Sequence, residues 1–329
     1  MIISRTPFRV SFFGGGTDYP IWYEKNGGMT ISATINKYAY ITARKLPPFF
    51  DYKYRIQYYL REEVNSIEEI KHPVVREGGK LLDIKEGMEI VHNADLPARS
   101  GMGSSSTFTV GLLHALHAMK NQMVTKRELA LTAIHLEQNI IGESVGSQDQ
   151  IAAAFGGLNL IEFNKHKTFQ VLEMIISQQR LQSLQDNLLL CFTGFSRTAE
   201  EIAKKQIDIT LHKEKELYKM LEILNEAKEV ITNDKISVDE IGRLLNEQWF
   251  LKKSLTKYIS NPDIDEIYEA GINAGAIGGK LLGAGGGGFM LFYAKKENHE
   301  KIKESLKNKF FVPFRFEKTG SQIIYFSHD

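Results

Sequence analysis

The run Leu96-Pro97-Ala98-Arg99-Ser100-Gly101-Met102-Gly103-Ser104-Ser105-Ser106 has the residue types to hold a phosphate. It precedes a segment, Thr107 to Met119, in which Phe108, Leu112, Ala115, Leu116 and Met119 recur at helical spacing. Glycines let the backbone approach a ligand closely. Free N–H groups at a helix start, together with the helix dipole, favour an anion. Serine hydroxyls can cap the helix or reach a metal ion. The chemistry indicated is that of a nucleotide-using enzyme. Two more glycine clusters accompany the run: Gly14-Gly15-Gly16 ahead of Thr17-Asp18, and Gly283-Ala284-Gly285-Gly286-Gly287-Gly288 near the end.

Other readings of these clusters fail on context. A Walker-type loop needs Gly-x-x-x-x-Gly-Lys-Ser/Thr. Gly279-Lys280 is the nearest candidate, but Ala274 replaces the upstream glycine and Leu281 the hydroxyl residue. The last cluster matches Gly-x-Gly-x-x-Gly at 283, 285 and 288, yet the strand-like Phe289–Tyr293 follows where a dinucleotide fold requires a helix. One cluster alone reads as a tight turn. Three clusters, one with three consecutive serines ahead of a helix, exceed that reading.

The elements that must position these residues change along the chain. Val10–Phe13, Met29–Ile35, Tyr38–Arg44, Arg55–Leu60 and Met88–His92 have strand composition, the last running into the serine-rich turn. Helical patterns cover Ser106–Met119, Lys126–Ile141 and Ser147–Phe155, the last stopped by Gly156-Gly157. Leu158–Phe163 returns to strand. The second half reads as an α+β sandwich with one sheet: strands at Leu188–Phe192, Gly288–Ala294 and Ile323–Phe326, and helices at Thr198–Ile231, Val238–Leu251, from Asn261-Pro262 and at Lys296–Lys309. A polar stretch, 164–186, separates the halves.

Composition sets bounds. The chain has 329 residues, 43% hydrophobic and 25% charged, enough for two folded domains. Its 41 Lys+Arg against 40 Asp+Glu give +1, with no basic excess to advertise nucleic acid. A single cysteine, Cys191, fits a reducing compartment. Met1–Arg5 is too short an apolar run for a signal peptide, and no stretch of about 18 apolar residues occurs. The expectation is a cytoplasmic enzyme with no membrane or nucleic-acid partner. His114 and His117 read as ordinary helix residues, since zinc needs further ligands. The aromatics Phe49, Phe50, Tyr52, Tyr54, Tyr58 and Tyr59 read as core packing.

The clusters occur in the order found in the GHMP kinases. Pro97-x-x-x-Gly101-Met102-Gly103-Ser104-Ser105 resembles that family's Pro-x-x-x-Gly-Leu-Gly-Ser-Ser signature. Lys280-Leu281-Leu282-Gly283-Ala284-Gly285-Gly286-Gly287-Gly288 resembles its C-terminal motif, and Thr6–Val10 with Gly14–Tyr19 its N-terminal one. The branch most similar is that of the D-glycero-D-manno-heptose 7-phosphate kinases. It shares Arg9 through Pro20, Ile35-Asn36-Lys37-Tyr38, Ser147-Gln148-Asp149-Gln150 and Thr193-Gly194-x-Ser196-Arg197. The kinase half of bifunctional L-fucokinases shares much of this pattern.

The resemblance implies a two-domain α+β fold. A ribosomal-protein-S5-domain-2-like N-terminal domain with the phosphate loop would cover residues 1–170, and a ferredoxin-like C-terminal domain residues 171–329. It implies ATP and Mg²⁺, with Arg99, Ser100, Gly101, Met102, Gly103, Ser104, Ser105 and Ser106 at the ATP phosphates and Ser105 and Glu137 at the metal. Asp149 becomes the catalytic carboxylate, orienting the anomeric hydroxyl and accepting its proton late. Arg9 pairs with Asp149 or with a phosphate. Gly15, Gly16, Thr17, Asp18, Tyr19, Gly285 and Gly286 fall to the sugar. Arg197 falls to the sugar's own phosphate, with Arg99 and Lys280 as rivals.

The expected reaction is phosphorylation of D-glycero-D-manno-heptose 7-phosphate at O1, giving the 1,7-bisphosphate for GDP-heptose and surface-polysaccharide synthesis. The alternatives are an L-fucose or other hexose 1-kinase of the same superfamily and, in another class, a non-catalytic sugar or nucleotide sensor on this fold. Oligomeric state stays open, a homodimer among the options.

Overall fold

The computed structural model describes residues 1–194, 199–210 and 212–327. Its strands are β1 (Ile2–Phe13), β2 (Gly28–Lys45), β3 (Tyr54–Gln57), β4 (Arg61–Val64), β5 (Met88–Ala94), β6 (Leu158–Phe163), β7 (Phe169–Glu173), β8 (Leu188–Phe192), β9 (Gly278–Leu281), β10 (Phe289–Tyr293), β11 (Phe310–Phe311) and β12 (Gln322–Phe326). The helices are α1 (Pro20–Asn26), α2 (Pro73–Leu81), α3 (Ser104–Met119), α4 (Lys126–His135), α5 (Gln148–Phe155), α6 (Gln178–Asp186), α7 (Ala199–Thr210), α8 (Glu214–Thr232), α9 (Glu240–Leu255), α10 (Pro262–Asn273) and α11 (His299–Ser305).

The first sheet runs β12-β1-β2-β5-β3-β4, with β6 and then β7 added beside β2. The 18-residue β2 is its spine, pairing residues 39–45 with β5 and 28–33 with β6. The sequence pattern divides this strand at Asn36-Lys37. In the structure the strand continues, and the polar pair sits where β2 slips against β1 between the Pro7↔Tyr38 and Arg9↔Thr34 pairs. There Asn36 exchanges hydrogen bonds with Arg315 instead.

From Pro7 on, every residue of β1 is buried, because both faces of the sheet are covered. Phe8, Val10 and Phe12 pack with Ile223, Leu224 and Ala227 of α8. Arg9 and Ser11 point the other way, as strand alternation requires, and both line a cavity. On that side α3 is buried nearly all round, which explains why its sequence is apolar on every face rather than striped.

The second sheet has the order β11-β8-β10-β9, every pair antiparallel. Helices join β8 to β9, a hairpin joins β9 to β10, and α11 joins β10 to β11. This is the split β-α-β arrangement of a ferredoxin-like unit. Asn261 caps α10 through its side chain, with Pro262 in the first turn.

Several boundaries differ from the sequence reading. A division at 170/171 cuts β7, which belongs to the first sheet, and the chain's last strand returns to pair with β1. The Thr198–Ile231 pattern is two helices, broken near His212. The 164–186 stretch holds α6, whose polar sequence hides its anchor: buried Arg180 donates to the carbonyls of Val230, Ile231 and Ile236. The aromatic segment is only partly core. Tyr54 is buried, whereas Phe49 and Tyr59 are exposed. No helix among the described residues is long and apolar enough to cross a membrane.

Candidate active site

The phosphate-type loop leads into α3 as its residue types demand. Arg99 takes a left-handed backbone, and its N–H donates to Ser104 Oγ at 3.1 Å. Gly101 has φ +80°, and a Cβ there would stand 2.5 Å from the Leu282 carbonyl oxygen, so only glycine lets the loop press on the turn after β9. Gly103 occupies the N-cap position in the left-handed region, and no side chain caps the helix. The N–H groups of the first turn, which an α-helix leaves unpaired, therefore remain for a ligand. Arg99, Gly101, Gly103, Ser104, Ser105 and Ser106 line a cavity of about 320 Å³.

Arg9 and Asp149 meet at the edge of that cavity. Arg9 Nε donates to Asp149 Oδ1 and Nη2 to Oδ2, both at 2.7 Å, while Nη1 donates to the Gly101 carbonyl at 2.7 Å. The arginine side chain is 4% exposed and the aspartate 26%, so the guanidinium is sealed behind a carboxylate that faces the open space. A bidentate fork of this kind fixes the carboxylate plane. Asp149 sits in the first turn of α5. Its neighbour Gln148 accepts a hydrogen bond from Ser11 Oγ, 2.8 Å, which ties the helix start to the β1 face that carries Arg9.

Asp18 is the second acid of the cavity. It accepts hydrogen bonds from Gly16 N at 2.9 Å and Gln148 N at 3.4 Å. Gly146 makes room for it, since a Cβ there would stand 1.9 Å from Asp18 Oδ2. Burial, reinforced by the charge of Asp149, raises its pKa above the usual carboxylate range. Tyr19 bonds Gln206 of α7 at 3.4 Å, and Gln206 donates to the Ala284 carbonyl at 2.7 Å. These contacts close the cavity from the C-terminal half.

Two lysines complete the wall. Lys252 Nζ donates to the carbonyls of Leu281 (3.0 Å) and Gly283 (2.5 Å), and Lys280 Nζ to that of Phe12 (2.8 Å). Burial, with the nearby positive charge of Arg9, pushes Lys252 down to about 7. Burial and the charge of Lys252 push Lys280 well below the ordinary lysine value.

Glu137 lies behind this wall. It is fully buried in a π-helical turn, Leu136–Ile141, that continues α4. Its Oε2 accepts from Ser106 Oγ at 2.9 Å and from Gln150 Nε2, whereas Oε1 has no partner among the described residues. Burial raises its pKa to about 7. The serine bonded to Glu137 is thus Ser106, and Ser105 faces the cavity. An orphaned carboxylate oxygen one hydrogen bond behind the wall suits a hard cation with oxygen ligands, so these residues fit magnesium.

Other expectations are corrected. Thr17 is fully buried and does not line the cavity: its hydroxyl donates to the Gly14 and Met29 carbonyls and accepts from Met29 N, stitching the loop to β2. Gly285 and Gly286 back onto Ile259, with Gly286 N donating to its carbonyl, and the cavity wall is Gly283 and Ala284. Ser100 and Met102 turn inward, and Ser100 holds β10 through Phe289 N. Gly15, Gly16, Asp18 and Tyr19 do line the cavity. Arg197 lies outside the described residues. His114 Nδ1 contacts Ser321 Oγ at 3.0 Å. Cys191 is a buried free thiol.

Sequence reasoning missed Ser11, Gln148, Gln206 and Lys252. For Lys252 a signal existed. It stands at the 245–249–252–255 spacing of the buried stripe of α9, where a lysine must be either an error of pattern or a group held inside.

Residues 65–157 match the family described as GHMP kinases N terminal domain, and residues 227–312 that described as GHMP kinases C terminal. The chain is 30% identical over 343 residues to the D-glycero-alpha-D-manno-heptose 7-phosphate kinase of Campylobacter jejuni, with 97% of each covered. It is 26% identical over 325 residues to the bifunctional fucokinase/GDP-fucose pyrophosphorylase of Arabidopsis thaliana, covering 91% of this chain and 30% of that one. Its structure resembles that of a D-glycero-D-manno-heptose 1-phosphate kinase from Bacteroides thetaiotaomicron, TM-score 0.74 at 26% identity, over 100% of both chains. Both halves thus carry the two signatures of one family, and the whole length aligns with a sugar kinase: the chain belongs to the GHMP kinases, phosphotransferases that act on an alcohol group.

Proposed function

We propose that the protein uses ATP to phosphorylate D-glycero-D-manno-heptose 7-phosphate at O1, yielding the 1,7-bisphosphate. The observation that carries this reading is the Arg9–Asp149 fork beside the uncapped start of α3. It is supported by end-to-end alignment with a kinase named for that substrate.

The main-chain N–H groups of Gly103 to Ser105, with the α3 dipole, hold the terminal phosphates. Arg9 fixes the carboxylate plane of Asp149. Asp149 orients the anomeric hydroxyl and takes its proton late, as the loose transition state develops. The O1–P bond forms, the bond from the γ-phosphorus to the ADP oxygen breaks, and the proton passes to Asp149 and on to water. Asp18 receives sugar hydroxyls from the opposite side, and Gly15 and Gly16 leave room there for a long sugar. Ser105 and Glu137 would hold magnesium, which neutralises charge on the phosphate oxygens when bound. A cytoplasmic setting supplies ATP, and the product would feed nucleotide-activated heptose synthesis for a surface polysaccharide.

The test is ADP release across heptose 7-phosphate, heptose 1-phosphate, L-fucose and galactose, with the product position read by phosphorus NMR. Turnover on the 7-phosphate with a new anomeric phosphate is expected. Preference for heptose 1-phosphate, the substrate in the structural relative's name, or for L-fucose would overturn the assignment. ATP binding without turnover on any sugar would favour the sensor alternative.

A further inference from the structure

We propose that Lys252 and Lys280 form a subsite for a phosphate dianion at the Asp18 end of the cavity, occupied by the phosphate that the sugar already carries. This rests on the reading that the acceptor is a sugar phosphate.

Both lysines line the cavity and come from different elements, Lys252 from the last turn of α9 and Lys280 from β9. Their known partners are main-chain carbonyls: Leu281 and Gly283 for Lys252, Phe12 for Lys280. An ammonium has three donors, so with both lysines protonated around a bound anion one remains on Lys252 and two on Lys280. The carbonyls anchor each head group in place without neutralising it.

The charge balance is the second argument. Arg9 is committed to Asp149 by its fork. No ion pair joins either lysine to an acid among the described residues. Asp18 is the acid whose charge both feel, and its oxygens are engaged by Gly16 N and Gln148 N. Two buried ammonium groups without a counter-ion are costly unless a ligand completes them. A dianion with several acceptor oxygens matches the three unused donors and both charges. The depressed basicity of both lysines agrees with this, because an arriving phosphate restores the conditions for protonation.

The rival occupant is a phosphate of the nucleotide, since Gly283, which Lys252 touches, also lies against Gly101. Lys252→Met and Lys280→Met, which keep the unbranched stem, separate the two sources. The control is Lys253→Met, whose lysine pairs with Asp265. Each site variant is expected to raise the KM for heptose 7-phosphate about tenfold or more, the loss typical of charged hydrogen bonds. The KM for ATP should stay near that of the control. A parallel rise in the KM for ATP, or no change in either, would overturn the proposal.

Calorimetry with inorganic phosphate on the nucleotide-free protein decides the subsite independently of the kinase reading. If the wild type uses no sugar phosphate, that reading fails by itself. The subsite then stands if Lys252→Met abolishes phosphate binding and falls if binding is retained. Unchanged melting temperatures, or raised ones, exclude misfolding as the cause of any loss.

Discussion

Arg9 holds both carboxylate oxygens of Asp149 at 2.7 Å while its third nitrogen holds the carbonyl of Gly101 at 2.7 Å. One buried side chain from β1 thereby fixes the acid of α5 relative to the loop that opens α3. Three segments far apart in the chain, at positions 9, 101 and 149, act as one rigid assembly. Removing the arginine would free both the acid and the loop, which explains why a costly buried cation is kept there.

Asp149→Asn is nearly isosteric, and its side chain keeps one acceptor for Arg9. The expected outcome is a kcat lower by about a hundredfold or more. ATP affinity should change little, while the melting temperature should fall, because the buried Arg9 loses its charged partner. Steady-state kinetics with direct nucleotide titration checks it, and unchanged turnover in a folded variant would remove Asp149 from the chemistry.

Gly101→Ala tests the loop. The added Cβ meets the Leu282 carbonyl oxygen at 2.5 Å in a left-handed backbone. Stability should fall by about 1–3 kcal/mol. The KM for ATP should rise more than the KM for the sugar, because the loop and not the sugar end is displaced. Equal shifts in both would contradict the assignment of this loop to the nucleotide.

Thr17→Val separates scaffold from site. The hydroxyl bridges the Gly14 carbonyl and the backbone of Met29, and valine removes these bonds while the Gly14 carbonyl keeps only its bond from Thr17 N. The expected cost is about 1–3 kcal/mol of stability. The KM for sugar should be almost unaltered at a temperature where the variant is folded. A large selective change in that KM would put Thr17 back at the substrate.

Lys252 links function to pH. Its pKa is about 7 in the folded chain against an ordinary value of 10.5. Between these values the unfolded chain binds the extra proton, so stability rises with pH across that window. Below pH 7 both states are protonated and the full cost of burial is present. Lys252→Met should therefore melt higher than the wild type at pH 6.5, and the gap should narrow by pH 9.5. Lys280 acts with the same sign and remains in the variant. Parallel melting curves at both pH values would show that the lysine carries no such penalty.

Legibility followed physical cause. The Gly101–Ser106 loop could be read because an anion site at a helix start requires local residue types in local order. The start of α10 could be read for the same reason, since Asn261 and Pro262 act on their own turn. What depends on distant packing could not. Asn36-Lys37 resembles a break but lies at a strand slip held by Arg315. Gly285 and Gly286 carry a motif's composition, yet the geometry of the hairpin turns them onto Ile259. Glu137 was singled out, but that Ser106 is its partner follows from the turn of α3 over the π-helical segment. Lys252 needed the C-terminal half to be folded against β1 before its position had meaning.

The central claim is that the N–H groups opening α3 hold the terminal phosphates of ATP while Asp149 faces the acceptor hydroxyl. A crystal structure with a non-hydrolysable ATP analogue and heptose 7-phosphate measures this directly. The account predicts γ-phosphate oxygens within hydrogen-bond distance of the Gly103–Ser105 amides and the sugar O1 within hydrogen-bond distance of Asp149. A triphosphate bound away from that helix start, or Asp149 turned away from O1, would contradict it.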